Sequence, residues 1–359
     1  MRKPPLTLQN TTMQFKYRIF IPYIFLLFVG CSLLPNKMKT AEQLMETSPD
    51  SALQLLQQIK PNQSLSNADR ALYGLLLFEA LDKKYLPLQP DSAINFSLDY
   101  YQGKKDKVRL AKCYFYKGRM YKYAQQYDDA TELYLKALDN CQDKKDYALM
   151  GKIYGDMGYI CSIQQDYAKA KEWFLKAANK NDTMSAYNLA LIYKNGLGVP
   201  KNDKEAYKYF LIAANKNYAQ AQYMLGTMVE KGQGAKKDLK EAFSWFLKAA
   251  KQGHILSEYR VGKMYRLGEG VAKNDTEAKK WYELSANKGN AFAQVNLGMM
   301  YKQGVATKQD YKEAFNWFEK SANQKNILGQ LNLALMYQNG LGIEKDLKEA
   351  FKLYQLASD

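Results

Sequence analysis

The sequence predicts an all-α solenoid, a stack of antiparallel helix hairpins. Three observations lead to this fold class. From Asp182 onward, one pattern recurs five times at a fixed period of 36 residues. Each copy carries a helix-capping signal followed by apolar residues at helical spacing. Proline is rare, at 9 of 359 residues, so few positions would interrupt a helix.

The second helix of each copy begins with one signature, an Asn or Asp followed three residues later by Glu. In the first copy these residues are Asn202 and Glu205. The Asn side chain is expected to accept from an amide of the helix start, and the Glu to reach back. The apolar stripe of Ala206, Phe210 and Ala214 then follows at helical spacing. The five predicted caps are Asn202, Asp238, Asn274, Asp310 and Asp346.

The first helix of each copy carries a small residue between larger apolar ones. Leu189, Ala190 and Tyr193 represent this pattern, and the later copies repeat it with Gly or Ala at the centre. A Gly-x-Gly turn joins the two helices in four copies, whereas the fourth reads Gly304-Val-Ala306. Because neither helix can bury its apolar side alone, the copies must stack.

These units resemble Sel-one-like repeats, a branch of the tetratricopeptide superfamily with a longer Gly-x-Gly turn. Gly232-Gln-Gly234 and the Trp245–Ala250 segment carry the resemblance. It implies a right-handed α-solenoid whose first helices line a concave groove. The predicted domains are residues 31–109 (degenerate tetratricopeptide-like hairpins), 110–181 (two tetratricopeptide repeats) and 182–359 (five 36-residue Sel-one-like repeats).

The N-terminal segment has the features of a bacterial secretion signal. Basic residues in Met13–Arg18 precede an apolar run of eleven, Ile19–Val29, which is the length of a signal-peptide core. We therefore predict a signal peptide over residues 1–30, and Met13 is a better candidate start than Met1.

The apolar run ends in Val29-Gly30-Cys31, which resembles the lipobox of bacterial lipoproteins. Phe28 departs from that pattern, because the family prefers leucine there. The resemblance implies lipid attachment, palmitate included, at Cys31 and a place in the bacterial cell envelope. No aspartate follows Cys31, which resembles lipoproteins of the outer membrane that face the periplasm or the cell surface. The alternative is an uncleaved membrane anchor.

By resemblance, the groove is lined by the first helices and would hold a protein or peptide. Tyrosines with basic and amide groups suit a partner that carries acidic residues. The alternative is that the tyrosines pack between repeats. The predicted partner-binding residues are Tyr187, Asn188, Lys194, Tyr223, Glu230, Tyr259, Lys263, Arg266, Asn296, Lys302, Asn332 and Gln338.

Candidate catalytic residues are few. Ser285 and Lys288 fit the Ser-x-x-Lys pattern of penicillin-recognising enzymes, but the further motifs of those enzymes are absent from the sequence. His254 is the only histidine, without a cluster of other metal-type ligands around it. We expect no metal, no cofactor and no catalytic residue.

Two further expectations concern cysteines and the last repeat. Cys113 and Cys141 fall near opposite ends of two antiparallel helices, so a disulfide between them is one reading and free buried thiols are the other. The last repeat has no polar capping helix after it in this sequence, which suggests end-to-end self-association or a partner that docks there, and simple fraying of the last helix is the alternative.

The sequence thus predicts a non-catalytic scaffold or adaptor anchored at the bacterial cell envelope. A net charge of +16 can indicate nucleic acid, an anionic membrane or an acidic protein as the partner, but the lysines are interleaved with acids, which favours a solvated basic face. Nucleic acid is disfavoured because no reading motif is present. Two alternatives are a membrane-anchored regulatory arm that docks a signal-transduction component and a cell-wall or β-lactam enzyme.

Overall fold

The computed structural model describes residues 33–59, 65–89, 91–141 and 146–358. The predicted signal peptide and Cys31 lie outside these ranges. The described residues form eighteen α-helices and no strand, which confirms the all-α prediction. The chain divides into two units, Met1–Pro87 and Leu88–Asp359, and the division falls within the segment predicted as residues 31–109.

The first unit contains three described helices: α1 (Leu33–Leu44), α2 (Pro49–Gln57) and α3 (Asn67–Lys83). Pro49 occupies the start of α2, where its missing amide hydrogen costs nothing. Met38, Leu56 and Leu76 are buried in one apolar cluster that joins the three helices.

The second unit is a run of helix hairpins, each packed on the next. In the repeats from Thr183 onward, we call the odd-numbered helices first helices and the even-numbered ones second helices. The helices of this unit are α4 (Asp91–Gln102), α5 (Lys107–Tyr123), α6 (Tyr127–Cys141), α7 (Tyr147–Ile163), α8 (Tyr167–Ala178), α9 (Thr183–Asn195), α10 (Asp203–Asn215), α11 (Ala219–Lys231), α12 (Leu239–Lys251), α13 (Ile255–Leu267), α14 (Asp275–Asn287), α15 (Ala291–Gln303), α16 (Tyr311–Asn323), α17 (Ile327–Asn339) and α18 (Leu347–Ser358).

Each hairpin closes on a contact between a small residue of one helix and an aromatic ring of the other. A β-carbon placed on Gly262 would lie 2.8 Å from the Tyr282 ring, and one on Gly298 would lie 2.7 Å from the Phe318 ring. Such a distance is too short for a real side chain, so these first-helix positions must stay small. The predicted close approach of paired helices is therefore present.

The predicted Asn and Asp caps are confirmed, whereas the bond expected from the glutamate back to the cap is not. The Asn202 side chain accepts from the amides of Lys204 and Glu205, both at 3.1 Å. The return bond from Glu205 was a wrong expectation, because the Asn202 amide instead donates to the carbonyl of Tyr193 at 2.9 Å. The first helix thus supplies the acceptor, and this bond ties the two helices of the hairpin together.

The Gly-x-Gly turns bring each repeat onto the one before it. Gly268 ends α13 in the left-handed conformation, at φ +73°. A β-carbon on Gly270 would overlap the backbone of Leu239 at the start of the preceding second helix. Gly270 therefore has a structural role, because a larger residue there would prevent this close packing.

A polar pair recurs between a buried residue of the first helix and an exposed residue at the end of the second helix. Gln252 donates to Gln222 at 2.7 Å, and Gln324 donates to Gln294 at 2.8 Å. In the copy between them, Lys288 pairs with the carboxylate of Glu258 at 2.5 Å. Glu258 is only 2% exposed, and Lys288 is the cation that compensates for the burial of its carboxylate.

Replacing Lys288 by alanine is expected to destabilise the protein by about 2 kcal/mol or more, because it leaves a buried carboxylate without a cation. The double variant Glu258→Gln/Lys288→Gln should stay within about 1 kcal/mol of wild type, because it reproduces the amide pairs of the neighbouring copies. Urea unfolding followed by circular dichroism measures both changes. Equal destabilisation of the single and double variants would contradict this account.

Candidate protein-binding face

The exposed side of α9, α11, α13, α15 and α17 is called here the first-helix face. Each of these helices has 13 residues. At about 100° per residue, their positions 2, 5, 6, 9, 12 and 13 fall within an arc of about 120°. All twelve residues predicted to bind a partner lie on these five helices, so the structure brings them to one side of successive repeats.

The three predicted tyrosines pack between hairpins. The Tyr187 ring lies 5.6 Å from Phe210 and 5.2 Å from Tyr218, measured between ring centroids. Tyr223 lies 5.0 Å from the ring of His254, at the start of the next repeat. The rings are half-buried, and burial raises the pKa of Tyr187. These tyrosines therefore pack between repeats, as the alternative stated, and expose only part of each ring.

Two of the three predicted asparagines bond back to their own helices. The amide nitrogen of Asn296 donates to the Phe292 carbonyl at 2.8 Å, and that of Asn332 donates to the Leu328 carbonyl at 2.8 Å. Asn296 also hydrogen-bonds Tyr259: burial raises the pKa of this tyrosine, and the bond from Asn296 acts against that effect. These amides hold the face in place as well as exposing polar atoms on it.

Two of the predicted charged residues already have ionic partners. Glu230 forms an ion pair with Arg260 of the next first helix, and Arg266 pairs with Asp275 at 2.9 Å. Arg260 is therefore part of the face, although the sequence analysis missed it. Its equivalence to Asn188 by the 36-residue period was the available signal.

The lysines of the face differ from Glu230 and Arg266 because they have no ionic partner among the described residues. Lys194, Lys263 and Lys302 are half-buried and, within the part of the chain that the structure describes, form no ion pair. Burial lowers the pKa of Lys194, and the nearby charge of Lys231 lowers it further. Gln338, at the end of the face, accepts from the Tyr354 hydroxyl at 2.7 Å.

The face also carries an apolar row that sequence reasoning did not assign to it. The second position of four first helices is a large apolar residue, about half exposed. These residues are Met184 at 48%, Leu256 at 45%, Phe292 at 50% and Leu328 at 50%. Their shared place in the 36-residue period could have identified them, since position 2 lies on the same arc of the helix as positions 5, 6, 9 and 12.

The residues of the enzymatic alternative have structural partners. The buried Ser285 hydroxyl donates to the Ile255 carbonyl of the same hairpin at 2.9 Å, and Lys288 pairs with Glu258. His254 caps α13, because its imidazole accepts from the Ser257 amide at 3.3 Å. Among the described residues, no three His, Cys, Asp or Glu side chains converge on a point that suits a metal ion.

A charged cluster lies buried in the hairpins before the repeats. The Asp156 carboxylate receives Lys122 at 2.5 Å, Arg119 at 3.2 Å and the Tyr134 hydroxyl at 3.0 Å. Burial acts to raise the pKa of Asp156, but the two cations outweigh it and hold the pKa below its ordinary value. The cluster fastens α5, α6 and α7 together.

The disulfide considered between Cys113 and Cys141 is not formed in the structure. Both are free, buried thiols. Burial raises the pKa of Cys141 to about 12 and raises that of Cys113 as well. Each therefore behaves as a small apolar side chain, and the alternative of free buried thiols describes them.

The fold agrees with what comparison with known proteins finds. The sequence model of the Sel1 repeat family matches six segments, which together make up more than half of the chain. They are residues 147–182, 183–218, 219–254, 255–290, 291–326 and 327–359. The chain belongs to the Sel1 repeat family. The first match, 147–182, covers the region that the sequence analysis read as the second tetratricopeptide repeat.

Two of the solved structures that match this chain, with TM-scores of 0.50 or more, show the same architecture. A Sel1 repeat protein from Oxalobacter formigenes is 31% identical over 57% of this chain and 84% of its own, with a TM-score of 0.55. The apo form of RapI is 13% identical over 91% of this chain and 96% of its own, with a TM-score of 0.50, which shows the fold alone. The antigen c5321 of uropathogenic Escherichia coli is 22% identical over 92% of this chain and 87% of its own, with a TM-score of 0.47. None of the curated proteins matches the chain.

Proteins built from Sel1 repeats are generally scaffolds for protein interactions and are typically non-catalytic. Within the described ranges, no helix combines the length and the apolar character that crossing a membrane requires.

The His254 cap predicts a pH dependence of stability. Burial lowers its pKa below the ordinary value of 6.5, so the folded protein holds the proton less firmly than the unfolded chain. The resulting stability is fully present above about pH 6.5 and is lost as the pH falls through the lower folded value, at about 1.4 kcal/mol per unit of pKa difference.

A His254→Asn variant tests this, because Asn290 and Asn326 cap the next two first helices without titrating. Urea unfolding free energies at about pH 7.5 and about pH 5 should fall more for the wild type than for the variant. The same fall in both proteins would show that His254 does not contribute.

Proposed function

We propose that the chain is a non-catalytic scaffold of the bacterial cell envelope that binds a protein or peptide on its first-helix face. One observation carries the binding part. Within the five copies, the packing positions stay nearly constant while the exposed positions change from copy to copy. Position 7 of the first helices reads Leu, Leu, Val, Leu and Leu, and the next position is always Ala or Gly.

The partly exposed positions of the same helices show the opposite behaviour. Position 6 reads Asn188, Met224, Arg260, Asn296 and Asn332, and position 9 reads Leu191, Thr227, Lys263, Met299 and Leu335. Core packing does not require this variety, because Leu191, Met224 and Met299 touch the core while polar or charged residues occupy the same two positions in other copies. A surface of distinct groups on a regular scaffold suits recognition of one particular partner. Membership of the Sel1 repeat family supports the same interpretation.

The envelope location rests on the N-terminal sequence, which lies outside the described residues. The apolar run Ile19–Val29 and the lipobox-like Gly30-Cys31 support lipid attachment at Cys31. Attachment of more than one acyl chain holds a protein stably at a membrane, whereas one chain gives only reversible binding.

If the chain is a lipoprotein, Cys31 is the residue that receives the acyl chain, and metabolic labelling with a palmitate analogue tests this. Expressed in a bacterium fed an alkyne-bearing palmitate, the wild type should take up the label and sediment with membranes. Cys31→Ser should lose the label, because its thiol is the acceptor. Cys161→Ser is the control and should stay labelled. Label retained by Cys31→Ser, or absent from the wild type, would contradict the proposal.

The binding proposal predicts that partner capture depends on the first-helix face. We would compare crosslinked captures of the wild type with those of a face variant, Lys263→Glu/Met299→Glu/Leu335→Glu. The control is Ser244→Glu/Lys280→Glu/Asn316→Glu, which makes the same change in net charge on the second helices. A protein captured by the wild type and the control, but at least about tenfold less by the face variant, is the expected result.

Equal capture by all three proteins would place the interface elsewhere and would contradict the proposed role of the face. Circular dichroism of each variant shows whether the helices are intact, so that unfolding is not mistaken for loss of binding.

A further inference from the structure

The charges of the repeats are divided unevenly between the two kinds of helix. The five first helices carry six Lys and Arg against two Glu, and both glutamates already pair with cations. The five second helices carry eleven Lys and Arg against nine Asp and Glu, which is close to balance. The first helices therefore carry a net charge of +4 with only two acids among them, whereas the second helices carry +2 with acids interspersed among their cations.

Four ammonium groups account for this excess: Lys194, Lys231, Lys263 and Lys302, one in each of α9, α11, α13 and α15. None of them forms an ion pair with another described residue. Lys194 and Lys231 come from successive repeats, and after burial the nearby charge of Lys231 contributes to lowering the pKa of Lys194. One cation in each of four successive first helices, without an acidic partner, is an arrangement that an anionic ligand would stabilise.

The large apolar side chains form a second row beside the lysines. Met184, Leu256, Phe292 and Leu328 stand at the second position of their helices. Lys194 and Lys302 stand ten residues further along α9 and α15, which is about 15 Å along the helix axis. Lys263 is seven residues from Leu256, or about 10 Å. An apolar edge and a cationic edge therefore run side by side across the same repeats.

We propose that the first-helix face binds an amphipathic protein segment that presents carboxylates along one edge and large apolar side chains along the other. The carboxylates meet the four lysines, and the apolar side chains meet the row of Leu256, Phe292 and Leu328. This inference rests on the proposed function and specifies the chemistry of its partner.

Both rows are needed for this choice of partner. A face with lysines alone would suit any polyanion, including nucleic acid, because phosphates bind lysines without needing an apolar edge. A face with apolar residues alone would give no preference for acidic sequences. About 10–15 Å between the edges matches the 10–12 Å diameter of a helix with its side chains, so one protein segment can reach both.

The test is selection of a random-peptide library, displayed on phage, against the immobilised full chain. Enriched sequences should combine Asp or Glu with Leu, Ile, Met or Phe. Enriched peptides, synthesised with a fluorescent label, are then titrated with four variants by fluorescence anisotropy.

The lysine variant is Lys194→Gln/Lys231→Gln/Lys263→Gln/Lys302→Gln. Its control removes four exposed lysines from equivalent places on the second helices: Lys204→Gln/Lys240→Gln/Lys312→Gln/Lys348→Gln. The apolar variant is Leu256→Ser/Phe292→Ser/Leu328→Ser. Its control is Ile212→Ser/Leu284→Ser/Leu356→Ser, which removes second-helix residues that are 37%, 46% and 49% exposed.

Each face variant should bind at least about tenfold more weakly than the wild type, and each control should stay within about twofold. The affinity of the lysine variant should also depend less on salt. Enriched peptides without carboxylates, or binding unchanged in the lysine variant, would overturn the inference, and so would the absence of any enrichment. Tighter binding of a single-stranded oligonucleotide than of any enriched peptide would overturn it as well.

The two proposals fail in different ways. If enriched peptides lose binding to the Lys263→Glu/Met299→Glu/Leu335→Glu variant but do not need the four lysines, the face binds partners and only the acidic specificity is wrong. If that variant binds every peptide as the wild type does, the face is not the site and both proposals fail.

Discussion

The contact between a glycine and an aromatic ring, which recurs in five hairpins, is the constraint on which the repeats depend. Gly262 against Tyr282 and Gly298 against Phe318 leave no room for a β-carbon. The paired helices therefore lie close together, and this short separation determines which side of each helix is buried. Once one side of each helix faces its partner and its neighbours, the remaining side of the first helices must face outward. The position of the first-helix face is therefore a consequence of how the core closes.

Most of this architecture could be predicted from one sequence because a repeat supplies its own comparison. The caps and the Gly-x-Gly turns recur at one spacing, so five copies support one interpretation. The return bond expected from Glu205 was wrong because it depends on a competitor, the Tyr193 carbonyl, that comes close only after the hairpin has closed. The pairing of Gln222 with Gln252 was missed, although the exchange to Glu258 and Lys288 in the next copy was a signal for it.

The site was harder to predict than the fold, for a physical reason. The 36-residue period shows that Tyr187, Tyr223 and Tyr259 are equivalent, but it does not show what surrounds them. Their partners belong in part to the following repeat, as Tyr218, His254 and Phe292 do, so their burial depends on how the repeats stack. Charge has the same difficulty. Glu230 looks available in the sequence and is paired across the repeat boundary with Arg260.

The distribution of charge, rather than its total, limits what the basic balance can mean. A net charge of +16 would attract many polyanions if it were spread evenly. On the second helices of the repeats, however, cations and acids nearly cancel, and neighbouring charges such as Lys280 and Glu277 pair within one helix turn at 2.6 Å. The first helices hold lysines without such partners beside exposed Leu256 and Phe292. A partner gains both the electrostatic and the hydrophobic contribution only if it carries acidic and apolar groups at the right separation. The arrangement therefore favours binding of a selected partner over general attraction of polyanions.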